Sequence, residues 1–251
     1  ENLAYVYIGA VDSTGRAKLI EETQRLPEVD AITTCYNLPF WGASGNNVYL
    51  PGDDRELFNI ADLYDVGNDY LNVLEIPIVE GQYFTENTTS QEILVSRNFI
   101  EYMKPFADWK DGAVGKTVQI TGHDTKSESM PLFTIRGVFE DFRLGSIAGE
   151  DPRAKIMFYT KGAAQHMVIR YHSLSSEALR KTQDLMGQLI PDKELNVISF
   201  KSEMLEGYTS SRKFRDSVMI GGIVTLLIVF IGLIGYTNDE VNRRRKEMAI
   251  R

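Results

Sequence analysis

The 251-residue chain is 43% hydrophobic and 25% charged, which excludes a disordered polymer and supplies enough apolar side chains for a real core. Its net charge of −8 is unevenly spread: residues 237–251 hold five basic and three acidic residues, so the rest is more acidic still, which argues against nucleic acid as a partner. Cys35 is the single cysteine, so no intramolecular disulfide forms, and its setting is that of a small apolar residue in or near a strand.

Leu3 to Ala10 reads as a strand, and Arg16 to Leu26 as an amphipathic helix with Leu19, Ile20, Thr23 and Leu26 on one face. Pro27 stops it, and Val29 to Cys35 resumes strand character, giving a β-α-β opening. Asn37 to Asp54, rich in Gly, Asn, Pro and Asp, reads as a long loop, and long loops of this kind carry function more often than average. Its aromatics Tyr36, Phe40, Trp41 and Tyr49 form a candidate partner-binding loop, because aromatic side chains dominate binding hot spots. Leu57 to Tyr64 follows as a strand.

From Asn68 the elements shorten: a helix at Asp69 to Leu74, a strand at Glu92 to Val95, and a helix at Arg97 to Phe106 with Phe99, Tyr102, Met103 and Phe106 on one face. Gly115 to Thr121, Leu132 to Phe142 and Ala154 to Thr160 read as strands, with a polar hairpin at Gly122 to Met130. The opening pattern then returns: strand His166 to Tyr171, helix Ser175 to Ile190 with Leu179, Thr182, Leu185, Met186 and Leu189 on one stripe, and strand Leu195 to Phe200. Two β-α-β segments flanking a β-rich insertion define an α+β domain assembled from both ends, its strands pairing across the gap. Ser202 is placed as the N-cap of a helix running through Arg215 into the next segment.

Ser217 to Tyr236, SVMIGGIVTLLIVFIGLIGY, has no charge in twenty residues, the length needed to cross a bilayer core of about 30 Å. The basic cluster Arg243, Arg244, Arg245, Lys246 and Arg251 behind it places that end in the cytoplasm and the preceding 216 residues outside. A chain that exports so long an N-terminal region and opens on Glu1-Asn2-Leu3-Ala4 reads as a piece of a larger membrane protein.

Three stretches resemble the MacB-like/FtsX-like permease family of ABC transporters. They are Tyr70 to Phe84, with Pro77 and Gly81 before the aromatic pair; Val114-Gly115-Lys116-Thr117-Val118 followed by Ile135-Arg136-Gly137-Val138-Phe139-Glu140-Asp141-Phe142; and Arg244 to Arg251 directly behind the apolar helix. The resemblance implies a split porter-like exterior domain at 1–66 and 161–201, an inserted β-rich lobe at 67–160, a stalk at 202–216, a transmembrane helix at 217–236 and a cytoplasmic basic segment at 237–251. It implies a non-enzymatic permease subunit, without cofactor or metal, in the bacterial inner membrane. Its partners would be a cytoplasmic ABC ATPase, a second permease subunit in a homo- or heterodimer, the lipid bilayer, and exterior or outer-membrane proteins. Arg244, Arg245, Lys246, Glu247 and Arg251 would couple to the ATPase. The alternative is that these residues only anchor topology.

Other signals are weaker. Gly115-Lys116-Thr117 imitates a phosphate loop, but position 110 is Lys110 and Val118-Gln119-Ile120 is strand-like. His123, His166 and His172 lack metal-ligand spacing and read as solvated or core-edge residues. The acidic pairs Asp53-Asp54, Asp62 with Asp65, and Glu140-Asp141 form no known ligand loop. The same layout of exterior domain, helix and basic flank would also serve the sensor domain of a membrane receptor.

Overall fold

A computed structural model describes residues 2–41, 43–122, 130–142, 152–162 and 165–249. In chain order its elements are β1 (Leu3–Tyr7), α1 (Ser13–Gln24), β2 (Val29–Cys35), β3 (Ser44–Tyr49), β4 (Phe58–Val66), α2 (Tyr70–Val73), β5 (Ile78–Gly81) and β6 (Glu92–Ser96). They continue with α3 (Arg97–Met103), β7 (Thr117–Ile120), β8 (Leu132–Phe139), β9 (Ala154–Tyr159), β10 (His166–Tyr171), α4 (Ser176–Leu189), β11 (Val197–Ser199) and α5 (Phe200–Ala249). The chain divides into two units, Glu1–Met204 and Leu205–Arg251.

The two ends of the first unit pair across the gap in the order β11-β1-β10-β2, all antiparallel, which is the split β-α-β arrangement of a ferredoxin-like sheet. Strand alternation sends Ala4, Val6, Ile8, Met167, Ile169 and Tyr171 to one face, where Leu19 of α1 and Ala178 and Met186 of α4 cover them. Both helices start where a side chain can accept an orphan N–H: Asp12 from Gly15, and Ser175 from Ala178. Thr182 is buried on α4 without penalty because it accepts the Tyr171 hydroxyl at 2.9 Å and donates to the Ala178 carbonyl.

The middle strands close on themselves. β4, β3, β7, β8, β6 and β9 follow one another, and β9 returns to β4 in parallel, making a ring that leaves no edge within it. Inward residues at every second position (Val48, Ile60, Ile93, Val95, Val118, Ile120, Ile135, Ile156, Phe158) fill the ring, with Phe99 and Met103 of α3 closing it. The opposite face of the same strands, with Ala61, Leu63, Leu94, Met157 and Tyr159, packs against Tyr5, Cys35 and Val168 of the ferredoxin-like sheet and against α2. A one-residue slip in β4 would exchange the two cores, so burial on both faces specifies its register.

Three local expectations change. The stretch read as a loop from Asn37 to Asp54 contains β3, whose Ser44, Asn46 and Asn47 have little intrinsic strand preference. It is a strand because β4 supplies the pairing, and its polar groups are answered there: Ser44 and Asn46 donate to the buried Asp62 at 3.0 and 2.7 Å, and Asn59 donates to Asn47 at 2.8 Å. The strand expected through Phe200 ends at Ser199, where α5 begins. The hydroxyl that accepts from the first turn belongs to Ser199, which takes the Ser202 N–H at 3.0 Å, rather than to Ser202. Ser199→Ala should therefore lower the stability of this helix start by about 1 kcal/mol, read by chemical denaturation, and by more than Ser202→Ala, which keeps the capping acceptor and loses only the exposed hydroxyl contacts with Ser199. The polar hairpin read at Gly122 to Met130 lies largely outside the described residues.

In the second unit α5 carries Lys213–Arg245, one helix long and apolar enough to cross a membrane. Its side chains from Val218 to Tyr236 are exposed along the whole apolar stretch. Three hydroxyls along it bond back into the helix: Ser217 donates to the Lys213 carbonyl, Thr225 to that of Gly221 and Thr237 to that of Leu233, the way hydroxyls are satisfied without water.

Candidate functional site

The first turn of α5 is seated in a cluster of rings on the ferredoxin-like sheet. Tyr5 and Tyr7 point to the same face of β1, and β10 brings His166 opposite Tyr7. After β2 the chain turns back, with the Trp41 N–H on the Leu38 carbonyl, and folds Phe40 and Trp41 over that face. Phe40 packs edge-on against Phe200 at 4.9 Å between centroids, and Tyr5 touches Phe40, Trp41 and Phe200 at 5.7, 5.8 and 6.1 Å. Trp41 in turn meets His166 at 5.0 Å.

Glu203 ties the polar edges together. Its carboxylate accepts the Tyr5 hydroxyl at 2.9 Å and the Trp41 indole N–H at 3.3 Å. It stands in the first turn of α5, where a negative charge also complements the helix dipole. The imidazole of His166 bonds the Tyr36 carbonyl through Nδ1 at 2.8 Å, while its buried Nε2 has no hydrogen-bond partner among the described residues. Burial lowers the His166 pKa, and the Tyr36 carbonyl opposes this only in part. Beside it on β2, burial pushes the Cys35 thiol well above the ordinary range, and the Tyr70 hydroxyl next to it is raised for the same reason. Cys35 is thus an inert core residue.

Of the four loop aromatics singled out from sequence, the structure brings Phe40 and Trp41 together and uses the Tyr36 carbonyl. Phe40 packs inward, whereas Tyr36 and Trp41 are 43% and 53% exposed, Trp41 with one side of its ring in the cluster. Tyr49 lies elsewhere, on β3 opposite Gln119 of β7. Tyr5, Phe200 and Glu203 carry no site motif in the sequence, and His166, read there only as a solvated or core-edge residue, joins them from a third separate segment. The signal that could have found Tyr5 is its pairing with Tyr7 at alternate positions of β1.

The motif residues of the middle region assemble into scaffold. Gly81 and Gly137 stand opposite each other across β5 and β8. Glu80 accepts the backbone N–H groups of Ala113 and Val114 at 2.9 and 3.0 Å, and Gly115 donates to the Ile135 carbonyl at 2.8 Å. Arg136 bridges the Tyr83 carbonyl and Glu92 at 2.9 and 2.7 Å; burial pushes the Glu92 carboxyl up, but the Thr89 N–H and the Arg136 guanidinium together hold it below the usual range. Asp141 accepts the Asn98 N–H at the start of α3, while Ser96 accepts from Phe99. These pieces, distant in sequence, form one knot that fixes β5, β7 and β8.

At the far end of the second unit, Arg244 pairs with Glu240 one turn earlier at 3.1 Å, Arg243 reaches the same carboxylate at 3.7 Å, and Arg245 is exposed. Arg251 and the side chains of Lys246 and Glu247 lie outside the described residues. Among the described residues no cluster of His, Cys, Asp and Glu could hold a metal ion.

The described residues thus combine a ferredoxin-like sheet, a closed strand ring inserted into it and, further along the chain, a helix long and apolar enough to cross a membrane. The MacB-like periplasmic core domain matches residues 1–192, and the chain belongs to that family of ABC transporter permeases. The fold is similar to the periplasmic region of MacB from Actinobacillus actinomycetemcomitans, at TM-score 0.52 and 12% identity over 83% of this chain and 92% of that one. It is also similar to a domain from Porphyromonas gingivalis described as part of a permease, at TM-score 0.51 and 18% identity over 79% and 90%. No curated protein matches the chain by sequence.

Proposed function

We propose that this chain is the part of an ABC permease subunit that carries ATPase-driven movement between the cytoplasm and the exterior domain, as a transmission element without catalysis of its own. The observation that carries this reading is the ring cluster: Tyr5, Phe40 and Phe200 with Glu203 seat the first turn of the same helix whose sequence continues into the apolar span. A helix so seated makes a coupling element, whereas a flexible tether would need only a loop. The inner membrane is the compartment in which an ATPase is within reach of Arg244, Arg245, Lys246, Glu247 and Arg251. The partners are that ATPase, a second permease subunit, identical or different, and an exterior protein that uses the exposed Tyr36 and Trp41.

The test is Arg244→Glu with Arg245→Glu in the whole transporter. Co-purification of the ATPase and its stimulated hydrolysis should fall severalfold while the exterior domain melts as before. Unchanged coupling would remove these arginines from the interface and favour a receptor-like role.

A further inference from the structure

We propose that the ring cluster is a proton-sensitive latch: neutral His166 keeps Trp41, Phe40 and Phe200 seated on the sheet, and protonation of its Nε2 frees Trp41 and the first turn of α5. The geometry is specific. Because Nδ1 faces a carbonyl that can only accept, it carries the single proton of the neutral ring, and Nε2 is left as a bare acceptor. That nitrogen is buried without a partner among the described residues, in a residue only 3% exposed. A second proton would create a buried charged donor with nothing to accept it, which folded proteins avoid by rearranging.

Among the described residues, the groups around the ring offer the proton no acceptor. From β1 come Tyr7, at 5.5 Å between centroids, and Tyr5, at 6.1 Å. From β2, Cys35 stands opposite in register with its thiol held neutral by burial. From the loop come the Tyr36 carbonyl, already engaged at Nδ1, and the Trp41 ring. From α5 comes Glu203, whose two oxygens take the Tyr5 hydroxyl and the Trp41 indole. These rings meet His166 at interplanar angles of 58–82°, not as stacked faces. Relief comes by Trp41 swinging away: it is already 53% exposed, and the move gives up its Glu203 hydrogen bond and its ring contacts with Tyr5 and Phe40.

Burial holds the folded pKa of His166 below the unfolded value of about 6.5, so the seated state is fully favoured above that pH. It is lost as pH falls from there toward the folded pKa, by up to about tenfold per pH unit in the ratio of seated to released rings. The device belongs to the exterior domain and does not depend on the coupling role proposed above.

The experiment uses the full chain in detergent micelles with Trp109→Phe, which leaves Trp41 as the only indole. Between pH 8 and pH 5, iodide quenching of Trp41 should rise with a midpoint below about 6.5, coincident with the titration of the His166 ring followed by NMR. In His166→Gln the quenching should stay flat. In Glu203→Gln the transition should persist, because the carboxylate is not the titrating group. A His166 midpoint at or above about 6.5, a Trp41 transition displaced from it by a pH unit or more, or a transition unchanged in His166→Gln or abolished in Glu203→Gln would each overturn the proposal. If His166→Gln does not fold, coincidence or separation of the two midpoints in the Trp109→Phe chain decides alone.

Discussion

Gly81→Ala should lower the melting temperature of the exterior domain by about 5–15 °C, from a loss of about 2–4 kcal/mol. Two effects combine at this position. Its φ of +77° lies in the left-handed region, where an alanine costs about 1 kcal/mol. Its added Cβ would also press into the Arg136 carbonyl oxygen and come within 2.8 Å of the Gly137 Cα, both backbone atoms that cannot turn aside. Forcing β5 away from β8 would strain the pairing that also positions Glu80 on the Ala113 and Val114 N–H groups. Gly115→Ala is the matched control: its φ is +80°, but nothing lies within 4 Å of the new Cβ, so only the roughly 1 kcal/mol of backbone strain should appear. Equal losses at the two positions in thermal melts would show that conformation alone, and not close approach, requires glycine at Gly81.

Phe200→Ala should cost about 2–3 kcal/mol locally, near or below the lower end for removing a large aromatic side chain because Phe200 is only partly buried. The loss concentrates at the root of α5, since its partners are Phe40 at 4.9 Å and Tyr5 at 6.1 Å. Hydrogen exchange at Lys201 to Met204 should quicken by one to two orders of magnitude while the strand ring keeps its protection. Transport by the assembled system should fall at least tenfold although the protein stays folded. Normal transport with a loosened helix root would reject the ring cluster as the coupling contact and leave it a stability feature. Phe200→Leu, which restores most of the apolar volume, should recover much of both readouts.

The relation between these residues and the sequence is uneven for physical reasons. The short β-branched and apolar runs of Val29–Cys35 and His166–Tyr171, the Pro27 stop behind α1 and the apolar stripe of α4 are local properties, so these elements and the α+β class with strands pairing across the insertion were legible. The apolar span behind Lys213 and the basic residues after it are equally local. β3 was not, because Ser44, Asn46 and Asn47 become a strand only when Asp62 and Asn59 answer them from β4. Closure of the ring through β4 and β9 was hidden too, since parallel pairing of segments about 90 residues apart leaves no periodic trace in either.

The sequence by itself determined the class of domain, the membrane-length helix and the motifs that mark the permease family, because these rest on periodicity, length and short-range patterns. Only the tertiary structure decided what those motifs do. It showed Gly81 and Gly137 to be a close backbone approach, Asp141 a helix cap, and Ser199 rather than Ser202 the acceptor at the start of α5. It also gathered Tyr5, Phe40, Trp41, His166, Phe200 and Glu203 from four stretches of chain into one cluster at the helix root. Contacts of that range depend on which strands pair, and pairing is set by the burial of whole faces rather than by any residue's neighbours in sequence.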